Sequence, residues 1–502
     1  SLPKYRGTRD WAKSETRRRA LAMLLTFHAD LIACTRLPMF FLYLRMSLHD
    51  PCHYTTCGTA SHLNAMTDRS SLPNHIASIM ATLHPFRAVR PDPEHVLEIA
   101  SVPYDVINTE EARELATGKP KSFLHVIRPE IDLERGIDVH DDAVYAKGAE
   151  NLRAFVEDDD TMQEGMPSVY VYRLIMDGRE QTGIFGCVTT ADYDHEVILK
   201  HELTRPVKED DRTRHVVEQK AHAEPVMLTF RDNDAVEAHM RAAMSGDPLY
   251  DFTAEDGVQH TIWRVSDPSG LVEAFGNVPS LYVADGHHRC KAASRAAEHF
   301  RDGDSAATHD SVATHKKVPE YEFFPAVLFP MGMMKIMAYN RIVFDLPVSP
   351  ADFLDQLDEA YGVERNVSDP VPSEKGTVCL YLDGTWHRMA LPESTGKRAV
   401  DSLDVARLSE FVLKPMLDIT DPRRDPNIDF VGGIRGTDEL EKRVDVGNAE
   451  LAVSMYPTAI GELFDVSDDG DLMPPKSTWF EPKLRSGLLV HDFENDVVAD
   501  DV

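Results

Sequence analysis

Ser280-Leu281-Tyr282-Val283-Ala284-Asp285-Gly286-His287-His288-Arg289-Cys290-Lys291-Ala292-Ala293 is the stretch that decides how this chain folds. A short apolar run ends at Ala284 and an alanine-rich pattern opens near Arg289, which predicts strand, tight turn and helix. Gly286 permits the turn and a close backbone approach. The free N–H groups of a helix start, at the positive end of the macrodipole, form an anion site. His287, His288 and Arg289 add three cationic or cation-capable side chains there, which is electrostatically costly without an anion. Reading Asp285 as an N-cap and Gly286 as a turn residue leaves those three unexplained. Asp285–Arg289 is therefore expected to be a phosphate loop, with Gly286, His287, His288 and Arg289 as its donors. Adjacent histidines in a tight turn seldom converge on one metal, which argues against zinc.

Upstream, Val197-Ile198-Leu199 leads into Lys200-His201-Glu202-Leu203-Thr204-Arg205-Pro206. The pair His201-Glu202 opens like a zinc-protease helix, but Arg205 stands where the second histidine belongs and Pro206 interrupts the helix. What remains is a carboxylate beside a histidine at a strand end. Glu202 there is a candidate proton acceptor, against the alternative of a solvated charged loop. Lys208 and Arg212 follow on a charge-rich helix and could add positive charge to the site. Downstream, Met473-Pro474-Pro475-Lys476-Ser477-Thr478-Trp479-Phe480-Glu481-Pro482-Lys483 packs prolines, hydroxyls and aromatics into a stiff turn. Lys476, Ser477 and Thr478 are suited to holding a phosphate or carboxylate. No glycine-rich loop precedes them, so this is not a P-loop.

The whole chain has 502 residues, long enough for two or three domains, and a formal net charge of -31. That charge disfavours nucleic-acid and anionic-membrane partners. Six cysteines without a C-x-x-C pair point to a reducing, cytoplasmic setting. Residues 1–79 differ from the rest: they carry ten basic and five acidic side chains, and three of the cysteines. They are expected to be an extension outside the fold, from an over-long gene start. Asp30, Arg36 and Arg45 break their apolar stretch, so no membrane span is predicted.

From Met80 onward strands and helices alternate, which predicts mixed α/β layers. The expected strands are Ser168–Leu174, Thr182–Val188, His260–Val265, Ser280–Ala284, Phe323–Phe329, Thr377–Leu382 and Trp386–Ala390. The expected helices are Ala143–Glu157, Asp210–Ala223, Arg289–Phe300, Ala351–Ala360, Leu403–Leu417 and Thr437–Val444. The expected organisation is an N-terminal α/β region over 80–345, a small inserted subdomain over 346–400, and a C-terminal α/β region over 401–502.

Six stretches together resemble an uncharacterised bacterial family, domain of unknown function 1015. They are His84-Pro85-Phe86-Arg87, Val102-Pro103-Tyr104-Asp105-Val106-Ile107, Lys121-Ser122-Phe123-Leu124-His125, the His201 segment, the Asp285 loop and the Lys476 loop. The likeness spans roughly Met80 to Phe493. Three of the six also resemble the free-serine kinases of the ParB/sulfiredoxin-like fold, in the same order along the chain. His201-Glu202 matches a pair whose glutamate is the proposed base, and Asp285–Arg289 matches an Asp-Gly-His-His-Arg phosphate loop. Pro475-Lys476-Ser477-Thr478 matches a Pro-Lys-Thr-Thr segment, with serine for the first threonine. The spacing of about 80 residues between the first two is longer than in the kinases, and Met80–Lys200 has no counterpart.

The resemblance implies a ParB/sulfiredoxin-like nucleotide-binding core with added α/β subdomains. It also implies transfer of a phosphoryl group from ADP or ATP to a small hydroxyl metabolite, free serine first among them. Glu202, with His201 beside it, is then the base; Asp285 helps hold Mg²⁺; Lys476, Ser477 and Thr478 grip the acceptor. A nucleotide-operated switch of the ParB type and a non-catalytic metabolite-binding protein are the rival expectations, and the sequence specifies no oligomeric state.

Overall fold

In the computed structural model, which describes residues 80–307 and 318–495, the strand ahead of Asp285 lies inside an eight-stranded mixed sheet. Its strands are β1 (Tyr170–Met176), β2 (Arg179–Thr189), β3 (Ile198–Leu199), β4 (Val226–Phe230), β5 (Tyr250–Thr253), β6 (Gln259–Arg264), β7 (Leu281–Asp285) and β8 (Phe323–Pro330). Their spatial order is β3-β7-β4-β8-β2-β1-β6-β5. The inner strands β4 and β8 are buried along their whole length, which is why both read as near-continuous apolar runs. β1 and β2 turn at Asp177-Gly178, both with positive φ, the backbone that a two-residue hairpin requires.

Helices α1 (Asp142–Glu157), α2 (Pro206–Gln219), α3 (Asp234–Ala243), α4 (Ser269–Phe275) and α5 (His287–Ala307) accompany this sheet, with α2 packed between α1 and α5. The expected helix Asp210–Ala223 begins four residues earlier. Pro206 does not stop it but starts it, because the first helical position needs no N–H donor. It ends at Lys220 in the left-handed conformation.

A second sheet follows: β9 (Tyr339–Val343), β10 (Glu364–Arg365), β11 (Thr377–Leu382), β12 (Thr385–Ala390), β13 (Ile428–Gly432) and β14 (Leu451–Met455). It is antiparallel throughout, in the order β10-β12-β11-β14-β9-β13. Helices α6 (Pro350–Tyr361), α7 (Asp438–Asp445) and α8 (Ile460–Asp468) complete this half. The segment 346–400, expected as a small inserted subdomain, supplies three strands to a sheet completed by strands on either side of it. The expected helix Leu403–Leu417 is interrupted: a π turn at Ser409–Leu413 separates two short α segments. Pro415 has no N–H to give the Phe411 carbonyl, and the Tyr361 hydroxyl takes that place at 2.8 Å.

One apolar core runs through both sheets, joining Phe185, Met227 and Tyr282 of the first to Val343, Val378 and Leu451 of the second. Phe464 of α8 stacks on Tyr282 of β7 at 3.8 Å between ring centroids. The described residues accordingly form one compact unit. The expectations for residues 1–79 lie outside the described residues. Among the described residues, no helix is long and apolar enough to cross a membrane.

Candidate functional site

β7 ends at Asp285, where its register against β4 shifts between Val283 and Asp285. Gly286 follows at φ +100°, and a Cβ there would lie 3.1 Å from both Val226 and Arg289. The first intrahelical bond of α5 runs from the Cys290 N–H to the Gly286 oxygen at 2.9 Å. The N–H groups of His287, His288 and Arg289 thus precede any intrahelical acceptor.

A cleft of about 590 Å³ opens at this helix start. It takes Asp285, His287 and His288 from the strand–helix junction, and Glu202, Arg205 and Lys208 from the His201 segment and α2. Asp105 and Arg128 come from the N-terminal segment; Tyr339, Arg423 and Phe430 from the second sheet and its loops; Lys476, Thr478 and Lys483 from the C-terminal loop. The three motifs far apart in sequence therefore meet in one place.

Charge is unevenly set within it. Burial pushes the Glu202 carboxyl above the usual range; Lys476 and Arg423 pull it down without cancelling that effect, and Asp285 pushes it further up. Burial acts the same way on Asp285, but there Lys483, Arg289 and Lys476 outweigh it and hold the carboxyl below the usual range. Lys483 Nζ lies 3.8 Å from Asp285. Burial lowers the His201 imidazole to about 4. Burial, with His201 and His288 beside it, takes His287 well below its ordinary value. His201 and His287 meet edge to face at 4.5 Å, and His201 Nε2 lies 3.4 Å from the Thr478 hydroxyl. Burial also lowers His288, whose Nε2 accepts the Arg205 N–H at 3.0 Å.

Burial thus disfavours protonation of both loop histidines, which weakens the charge argument made for the loop. Arg289 is turned inward. It donates to the Pro225 carbonyl and to Asp285 at 3.2 Å, and lies 3.8 Å from Asp105. Burial would lower its guanidinium, but Asp105, Asp285 and Glu224 together raise it. Arg212 is also away from the cleft, 2.9 Å from Asp211 and stacked 4.0 Å over the Tyr104 ring. It sits one helical turn deeper than Lys208, on the buried face of α2. The Ser477 hydroxyl is spent within its own turn, donating to the Pro474 carbonyl at 2.6 Å. Lys476, Thr478, Glu202, Asp285, His287, His288 and Lys208 line the cleft.

Sequence reading did not single out Asp105, Arg423, Tyr339 or Lys483. The Val-Pro-Tyr-Asp stretch was a signal for the first, since the Tyr104 N–H is pinned to Glu224 at 3.1 Å and so carries Asp105 to the cleft. Lys483 closes the Met473–Lys483 loop, whose reading stopped at Lys476, Ser477 and Thr478, while Tyr339 and Arg423 belong to the second sheet and its loops and carry no local motif. Among the described residues, no group of three or more histidine, cysteine or acidic side chains gathers as a metal centre.

No curated protein matches the chain. Solved structures match it at low identity. A conserved hypothetical protein from Pyrococcus furiosus is 11% identical, with a TM-score of 0.32, over 62% of this chain and 97% of that one. A mutant free serine kinase in complex with AMP is 10% identical, with a TM-score of 0.33, over 62% and 93%. SbnI with a C-terminal truncation, from Staphylococcus aureus, is 10% identical, with a TM-score of 0.32, over 62% and 90%. The family model described as protein of unknown function (DUF1015) matches residues 83–406, well over half of the chain, and this protein belongs to that family.

Proposed function

We propose that this protein is a nucleotide-dependent phosphotransferase acting on a small hydroxyl metabolite, with free serine as the first acceptor to test. The observation that carries this reading is the shared cleft: a helix N-terminus, Lys476 and Lys483 lie around Glu202, whose carboxyl is raised. Phosphoryl transfer asks a protein for positioning and charge neutralisation more than for covalent chemistry. The α5 N–H groups, with Lys208, receive the phosphates of ADP or ATP. Glu202 takes the proton of the acceptor hydroxyl, its raised value bringing it closer to neutral pH where a base works best. Lys476 and Lys483 offset the charge of the transferred group, and neutral His201 supports Thr478 beside them.

Mg²⁺ fits Asp285, whose carboxylate is held ionised, because this ion takes one or two protein carboxylates alongside substrate phosphates. When bound, it would neutralise phosphate charge. A reducing, cytoplasmic setting accords with the buried free thiols of Cys290 and Cys379.

The test is incubation of the purified protein with ADP or ATP, Mg²⁺ and a panel of hydroxy amino acids, read by mass spectrometry. A phosphorylated acceptor is expected. Nucleotide hydrolysis without any phosphorylated product would transfer the reading to a switch, and absence of nucleotide binding would end both.

A further inference from the structure

Lys476 holds a left-handed backbone conformation, φ +57°, which a residue with a side chain seldom keeps unless its surroundings impose it. What imposes it lies on β9. Arg341, only 3% exposed, donates through Nη2 to the Lys476 carbonyl at 3.1 Å and through Nη1 to the Tyr339 carbonyl. The Phe430 ring lies 5.4 Å from its guanidinium carbon.

Other buried arginines of this chain have a carboxylate partner. Arg212 has Asp211 at 2.9 Å and Arg407 has Asp404 at 3.4 Å. Among the described residues, no carboxylate pairs with Arg341. Burial, offset in part by Tyr339, draws its guanidinium down to about 10, so it stays charged at neutral pH. Keeping a buried cation on two backbone carbonyls is costly for stability alone. Its return is the loop geometry. Tyr339, two residues away on the same face of β9, lies with its ring 5.4 Å from the Lys476 ammonium. One strand thus holds Lys476 at both ends, backbone and side chain.

We infer that Arg341 is a positioning residue for Lys476: by gripping the Lys476 carbonyl it sets the turn that presents the ammonium to Glu202 in the cleft. Its effect on turnover rests on the proposed phosphotransferase reading; its effect on the lysine does not. Two measurements separate them.

The first is the pH profile of Lys476 acetylation, read by peptide mass spectrometry on the full chain. Tyr339 and Glu202 raise this ammonium, against burial acting the other way, so its apparent pKa should lie above that of an ordinary lysine. In Arg341→Met it should fall to the ordinary value, while a purely structural arginine would change the melting temperature and leave the profile in place. The second is a double-mutant cycle with Lys476→Ala. Each single variant should lower kcat by about 10–100-fold with the nucleotide KM nearly unchanged, and the double variant should be no worse than either.

If Arg341→Met does not fold, Arg341→Lys serves, since it keeps the charge but cannot span both carbonyls. An unchanged acetylation profile, or losses that multiply in the double variant, overturns the inference. Wild-type protein without transfer activity would defeat the proposed function, and the acetylation profile would still decide the role of Arg341.

Discussion

Glu202 and Asp285 share one cleft yet are driven apart in proton affinity, the first upward by burial, the second downward by Lys483, Arg289 and Lys476. A base must be ionised to act, so a raised carboxyl places the acid limb of the rate above the ordinary glutamate range, and rate rises with pH through it. Glu202→Gln should keep nucleotide affinity and lower transfer by roughly 10²–10⁴-fold, with that limb abolished. Full activity in this variant, measured with binding on the same sample, removes Glu202 from the mechanism. Glu202, which lines the cleft, could be singled out in the sequence because His-Glu at a strand end is a contiguous signal. The protonation of His287 was not, since burial is decided by residues elsewhere in the chain. Arg341 and Lys483 were hidden for the same reason: each has a role only through a partner more than a hundred residues away.

At the level of elements, Arg289 joins β7, α5 and the Tyr104–Asp105 segment rather than offering a hand to an anion. Arg289→Met would leave Asp285 and Asp105 facing each other near Glu224 without their shared cation. Because both carboxylates are partly exposed and Asp285 keeps Lys483, the cost falls below the roughly 3–5 kcal/mol of a fully buried pair, and a urea titration at neutral pH should still register it. A variant as stable as wild type would return Arg289 to the role of a ligand donor. Strands with a clear apolar run, such as Thr377–Leu382, were legible to the residue. β4 was missed although it is wholly apolar apart from one threonine, because the charge-rich α2 beside it drew the helix reading onward to Ala223. The four strands of the second sheet outside β11 and β12 were missed for a related reason. Their pairing is long-range, and β9 carries Asn340 and Arg341 inside, polar residues that disguise a buried strand.

For the molecule as a whole, buried neutral histidines couple stability to pH. Burial is the leading cause that lowers His201 to about 4 and His260 to about 3, and it takes His215, His222 and His287 well below the ordinary value. Each binds its proton more readily unfolded than folded. Stability is therefore full above about pH 6.5 and is lost as pH falls from there toward the folded values. Each such group costs roughly 1.4 kcal/mol per pH unit across that window. Calorimetry from pH 7.5 to 5 should show a steep fall in Tm; a flat profile would mean that water reaches these imidazoles. The overall class, mixed α/β, was legible from alternation alone, whereas the shared core that makes the described residues one unit was not.

The cleft draws Asp105, Glu202, Asp285 and Lys476 from segments spread along most of the chain. During synthesis at about 5–20 residues per second, Lys476 leaves the ribosome roughly 10–40 s after Asp285. Through that interval the acidic half of the site exists without Lys476 and Lys483, and β7 and α5 await the sheet that carries Arg341. Competence thus arrives late and all at once, as an event in translation rather than a property acquired by degrees.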